Sequence, residues 1–249
     1  MKPALIKRAL MKRLMLLLPL LFIGQAALAD GGDASPATVE LSNLLPPPPA
    51  AGSMAAQHDL EVVLATQQTR TAADMADAKA DTERSVFRFA DVLGAVLQPA
   101  AVPKTAAFFA RTAALDKQAV NEAKSYWQRP RPAVVSSRVH PLAAEKPNDW
   151  SYPSGHSTFG YTTAVLLANM VPEKRAAIFA RADIYAQHRI VMGAHFPSDV
   201  EAGRVAGTVI AAQLLADPAW QADFNAARDE LRKALVLPLN EPGTKVVVR

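Results

Sequence analysis

From Ala55 onward the chain is written in helix formers, its apolar residues recur at intervals of three and four, and strand signals nearly vanish. That pattern admits helices packed on helices and leaves no room for a sizeable sheet. It predicts a first helix through Leu60, Val63 and Leu64 and on to Met75, and a second over residues 82–97 with Val86, Phe89, Leu93 and Leu97 inward. A third, over residues 104–128, stops where Arg129-Pro130-Arg131-Pro132 pushes the chain out of helical geometry. Residues 133–152 lack periodicity and read as a loop of a length that is often functional. Helices follow over residues 158–170, 172–190 and 200–215, the last started by a Ser198/Glu201 capping box, and Asp217-Pro218 caps a final one with Trp220, Phe224, Ala227 and Leu231 as one stripe. The expected fold is all-α, a single-domain helical bundle over residues 55–238 with a tail over 239–249.

Before that bundle the composition changes twice. Residues 1–29 carry a basic run (Lys2, Lys7, Arg8, Lys12, Arg13), an apolar run over 14–24 and Ala27-Leu28-Ala29, the three parts of a secretory signal peptide, with cleavage expected after Ala29. The apolar run is too short to span a membrane, so the mature chain is expected to be periplasmic or secreted, without stable membrane insertion. Residues 30–54 form a Pro-rich arm containing Leu44-Leu45-Pro46-Pro47-Pro48-Pro49, which favours an extended conformation able to dock through its leucines. Of the 27 Lys and Arg five lie in the leader, which holds no acidic residue, leaving 22 against 23 Asp and Glu. A near-neutral mature chain removes the case for a nucleic-acid partner. The lack of Cys excludes disulfides and thiolate metal sites.

Three segments then place reactive side chains at helix ends: Lys124 with Arg131; Ser154-Gly155-His156; and Arg189 with His195 and Asp199. Cleaving a phosphomonoester dianion requires fixed cations and N–H donors, an in-line nucleophile, and an acid for the leaving alkoxide. Lys124, Arg131 and Arg189 supply charge, two of them as guanidinium forks. Ser154 and Gly155 precede a helix N-terminus that favours anions. An imidazole at His195 can donate its Nδ1 proton to Asp199 and keep Nε2 as nucleophile, while His156 serves as acid. His58 and His140 read as surface and loop residues.

Lys124-x6-Arg131-Pro132, Pro153-Ser154-Gly155-His156 and Arg189-x5-His195-x3-Asp199 together resemble the type 2 phosphatidic acid phosphatase and vanadium haloperoxidase superfamily, and within it the class A bacterial nonspecific acid phosphatases. The Leu-Leu-Pro arm and Ser151-Tyr152 are similar to that branch too, so the resemblance covers about residues 43–235. It implies a phosphohistidine intermediate on His195, with His156 as acid and then base. It implies phosphate binding by Lys124, Arg131, Ser154, Gly155, His156 and Arg189, with no metal or other cofactor. Broad phosphomonoester hydrolysis is the expected activity. A vanadate-dependent haloperoxidase and a non-catalytic secreted phosphate-binding module are the alternatives, and homo-oligomerisation is left open. One position departs from the pattern: the family usually has Ser before the third-motif Arg, and here it is His188.

Overall fold

The computed structural model describes residues 39–144 and 149–239; the expected signal peptide, the start of the arm and the tail from residue 240 lie outside the described residues. Among those described, no residue is in a strand, and no helix is long and apolar enough to cross a membrane.

The bundle is built round α7 (Gly155–Met170), whose residues are all buried except His156, Val165 and Asn169. A helix without a single Asp, Glu, Lys or Arg can sit in a core, and α7 is packed by α5 (Pro103–Trp127), α8 (Arg175–Val191), α9 (Pro197–Ala216) and α10 (Pro218–Ala234). The α10 stripe seats Trp220 and Phe224 edge-on against Phe108 of α5, at centroid distances of 6.0 and 5.9 Å. At the α7–α9 crossing, a Cβ on Gly203 would stand 2.6 Å from the Ser154 carbonyl oxygen, so only glycine lets the two helix starts meet. Their contact is sealed by the Ser154 N–H donating to the Asp199 carbonyl (3.0 Å) and the Ser157 hydroxyl to the Val200 carbonyl (2.6 Å).

Several expected elements differ. The single first helix is two, α2 (Met54–Thr69) and α3 (Ala72–Ala80), because Thr71 and Asp74 form a reciprocal capping box that starts a new helix after Arg70. The helix expected over residues 82–97 shrinks to a 3₁₀ turn (Val86–Phe89) and one turn of α4 (Ala90–Leu93), ended by Gly94 at φ 101°. Val86, Phe89, Leu93 and Leu97 are nevertheless buried, so the apolar pattern marked core contacts and not helix. The residue 133–152 loop begins with a short turn of helix, α6 (Pro132–Val135). The Ser198/Glu201 capping box does not form: Glu201 pairs with Arg204, Ser198 bonds Asp59, and Asp199 accepts the Phe196 N–H (2.8 Å). At the arm, where α1 (Leu41–Leu44) leads into the prolines, Leu45 docks while Leu44 stays half exposed, and the Tyr152 hydroxyl donates to the Pro46 carbonyl (2.5 Å).

Candidate active site

The end of α5, the start of α7 and the α8–α9 turn converge on one side of the bundle. At the α5 end, Gln128 adopts the left-handed conformation, and the chain runs on through Pro130 to an extended Arg131 before α6. Arg131 enters the pocket. Its Nη1 lies 2.8 Å from His195 Nε2 and donates to the Ala194 carbonyl (2.6 Å), and its Nε donates to the Asp149 carbonyl (2.9 Å). Lys124, one turn before the helix end, bonds the Trp150 carbonyl and lies 3.3 Å from the Asp149 carboxylate, which also pairs with Arg131 Nη2 at 2.8 Å. Burial, with the Arg131 charge beside it, lowers the Lys124 ammonium to about 8.

Arg129 runs underneath the pocket. It donates to Asp199 (2.6 Å), Ser198 (2.7 Å) and Asp59 (2.7 Å), with its guanidinium 4.2 Å above the Phe196 ring. Asp199 is fully buried, and burial pushes its carboxyl up against the opposing pull of Arg129, the Ser151 hydroxyl (2.5 Å) and the Phe196 N–H. The direct His195–Asp199 bond read from the sequence is long: His195 Nδ1 stands 3.5 Å from Asp199 Oδ2 and 3.5 Å from the Ser151 oxygen. Ser151 therefore shares the task of holding the imidazole, since its hydroxyl is hydrogen-bonded to the same carboxylate oxygen.

His195 is itself 2% exposed. Burial, then the charges of Arg131, Lys124 and Arg189, push its pKa well below the ordinary histidine value. With its Nδ1 side facing acceptors, the neutral ring presents the Nε2 lone pair towards Arg131 and the pocket. Its chain position depends on Gly193, whose φ of 69° turns α8 into α9 and whose missing Cβ would lie 3.2 Å from Pro141.

Arg189 comes from the last turn of α8 and is buried, yet its Nε and Nη1 have no hydrogen-bond partner among the described residues. Burial lowers it to about 10, which leaves it charged. Buried guanidinium donors are rarely left unbonded; here two stand beside the α7 start, where Ser154 is the N-cap and Gly155 and His156 open the first turn. His156 Nε2 donates to the Thr82 carbonyl (3.0 Å), and burial followed by Arg189, Arg84 and Arg131 pushes its pKa well down. His188 points elsewhere. Its Nδ1 lies 2.7 Å from Asp81, a buried carboxylate also held by Arg181 (2.6 Å) and Arg88 (2.8 Å).

The profile of the PAP2 superfamily matches residues 105–222, a span holding all three motifs. An acid phosphatase of Zymomonas mobilis is 35% identical, the match covering 76% of this chain and 75% of that protein. Nonspecific acid phosphatases of Salmonella typhimurium and Salmonella typhi are 31% and 30% identical, each over 75% of this chain and 78% of theirs. The chain belongs to the PAP2 superfamily. It is an acid phosphatase, a phosphoric monoester hydrolase.

In this PAP2 phosphatase every residue singled out in the three motifs reaches the same pocket or its immediate support. Sequence reasoning missed Arg129, Asp149, Ser151, Thr82 and Arg84. Only Arg129 and Ser151 carried a signal, lying within or beside the motifs; the others arrive from segments with no motif at all. Among the described residues no group of three or more His, Asp or Glu is arranged to hold a metal ion. A separate apolar groove of about 570 Å³ lies behind Arg129, lined by the arm prolines, Trp127 and Phe196, and includes none of the imidazoles.

Proposed function

We propose that the enzyme hydrolyses phosphomonoesters of broad range through a phosphohistidine on His195. The observation that carries this reading is the neutral, buried His195 Nε2 aimed into a ring of cations, one of which, Arg189, has two unpartnered buried donors. The phosphoryl oxygens are bound by Lys124, Arg131, Arg189, the Gly155 N–H and the Ser154 hydroxyl, because the Ser154 N–H expected to share this task is committed to the Asp199 carbonyl. His195 Nε2 attacks phosphorus in line, the bond to the ester oxygen breaks, and His156 gives that oxygen its proton. The Thr82 carbonyl keeps a hydrogen on His156 Nε2, so Nδ1 is the nitrogen that gains and loses the catalytic proton. Binding of a dianion offsets the cations that depress His156 and lets it carry that proton. Water then attacks the phosphohistidine with His156 as base, releasing inorganic phosphate and restoring His195.

The electrostatics favour mildly acidic operation. A nucleophile whose pKa is depressed keeps its lone pair as pH falls below the usual histidine range, whereas the clamp weakens as Lys124 discharges through about 8. Incubation with ³²P-labelled substrate and an alkaline quench should leave label on His195. Label elsewhere, or a fully active His195→Ala protein, would overturn the mechanism. His156→Ala should slow alkyl phosphates more than p-nitrophenyl phosphate, whose leaving group needs little protonation. We further propose that the protein acts in the periplasm or outside the cell after loss of residues 1–29. Amino-terminal sequencing of the mature protein should begin at Asp30.

A further inference from the structure

The segment Asp81-Thr82-Glu83-Arg84 carries no motif, yet it forms one wall of the pocket. It is fixed at three points. The Asp81 carboxylate is buried among His188, Arg181 and Arg88. The Tyr185 hydroxyl donates to the Glu83 carbonyl (2.7 Å). The Thr82 carbonyl accepts from His156. The next residue, Arg84, extends its guanidinium over the start of α7, where Nη1 stands 3.5 Å from the position a Cβ would take on Gly155. Arg84 makes no hydrogen bond or ion pair with any described residue and is exposed. Its charge is felt by both His156 and Arg189. A surface arginine without a catalytic neighbour would mean nothing. This one is carried by the same anchored segment that binds the proposed proton donor, and lies against the residue that precedes it.

We propose that Arg84 is a specificity-determining residue that binds an acidic group on the leaving portion of the substrate, selecting phosphomonoesters with a carboxylate or second phosphate close to the scissile oxygen. The inference rests on the acid role given to His156, because that role places the leaving oxygen within hydrogen-bond reach of the imidazole. The scissile phosphoryl group is already met by Lys124, Arg131 and Arg189, which are buried or nearly so. Arg84 differs in facing solvent, where the leaving portion must project. A guanidinium fork matches carboxylate and phosphate geometry alike.

The test compares 2-phosphoglycolate with ethyl phosphate, substrates alike in size but differing in a carboxylate on the leaving group, with pyrophosphate as a phosphate-bearing probe. In the wild type, kcat/KM should favour phosphoglycolate over ethyl phosphate. Arg84→Gln should lower both values, with that preference falling about tenfold, as for a charge-assisted contact discounted for exposure. Arg84→Glu should invert it and Arg84→Lys should restore part of it; pyrophosphate should follow phosphoglycolate. Equal losses on both substrates would make Arg84 a general clamp for the scissile group and overturn the proposal, as would an unchanged preference. Failure of the mechanism itself is separable: it would show as absent phospho-His195 label in the wild type, whatever Arg84 does.

Discussion

The two sides of this pocket keep their cations in opposite ways. On one side Lys124 and Arg131 are held by Asp149 and by backbone carbonyls of the same loop, so the charges are partly neutralised within the fold. On the other, Arg189 and Arg84 have no such partners among the described residues. A paired cation keeps its position without substrate but must share or exchange its partner when an anion arrives. An unpaired buried cation costs stability and presents its donors unspent, the preorganised arrangement that favours charge developing in a transition state. The difference predicts that the bare side contributes more to turnover and the held side more to pH dependence.

The largest effect belongs to the bare side. Arg189→Gln should lower kcat/KM for p-nitrophenyl phosphate by about 10²–10³-fold, the usual cost of losing a preorganised donor. Because the buried Nε and Nη1 of Arg189 have no hydrogen-bond partner among the described residues, removing its side-chain charge should leave the melting temperature unchanged or raise it. A loss of stability along with activity would mean that Arg189 is structural, and the contrast would collapse. Arg189→Lys should remain strongly impaired, since a single ammonium cannot reproduce the direction of two guanidinium donors.

On the held side, Asp149→Asn should preserve turnover and tighten inhibition by inorganic phosphate several-fold, because Lys124 and Arg131 no longer share an internal carboxylate. The Asp149 charge supports protonated Lys124, so its loss should move the alkaline fall in kcat/KM to lower pH, from a starting point near 8. Burial alone raises the Asp149 carboxyl, but Lys124 and Arg131 outweigh it and hold it below the usual range. The pair therefore persists at the mildly acidic pH proposed for activity. A phosphate inhibition constant that does not move, in a folded variant, would show that Asp149 does not compete for the clamp.

This contrast also explains what was legible in the sequence. Lys124, Arg131, Ser154, His156, Arg189, His195 and Asp199 were readable because chemistry forces them into helix ends at set spacings. The helices carrying them were readable from their apolar stripes, as with Trp220, Phe224, Ala227 and Leu231. Asp149 and Arg84 were not, since each acts through a tertiary approach from a segment that carries no chemical motif. The residue 82–97 helix failed for a tertiary reason as well: Val86, Phe89 and Leu93 are apolar to satisfy neighbours in α8 and the core, and helical spacing there reflected burial alone. His188 shows the converse. Its departure from the family pattern was visible, but its partner Asp81, more than a hundred positions away, was not.

His188→Ser tests that link with a smaller effect. Burial raises Asp81, but His188, Arg181 and Arg88 together hold it well below the usual range, so two arginines remain after the substitution. Stability should fall by roughly 1–2 kcal/mol, as for one buried charge-assisted bond. The change in kcat/KM should be only a few-fold, through looser placement of Thr82 against His156, and should spare inhibition by phosphate. A loss as large as that of Arg189→Gln would mean that His188 itself meets the phosphoryl group.

The smallest effect on turnover is expected at Asp116, which gives the bare side a carboxylate to set against Asp149. It is buried on α5, accepts one hydrogen bond from Thr162 (2.9 Å), and its second oxygen has no partner among the described residues. Burial raises it to about 7, against the weaker opposing pulls of Thr162 and Arg84. A carboxyl whose folded pKa lies above its unfolded value adds stability that is complete below the unfolded value near 3.8 and is lost as pH rises through about 7. The wild-type melting temperature should therefore decline between about pH 4 and pH 7 by more than that of Asp116→Asn, which keeps a neutral group of the same shape. The two curves should lie closest in acid and diverge by several degrees at pH 7.5 and above. Activity on p-nitrophenyl phosphate at acidic pH should be nearly the same in both. Parallel curves would mean that Asp116 stays ionised throughout, and then Arg84 would have to be neutralising it across the pocket wall instead of remaining available to substrate.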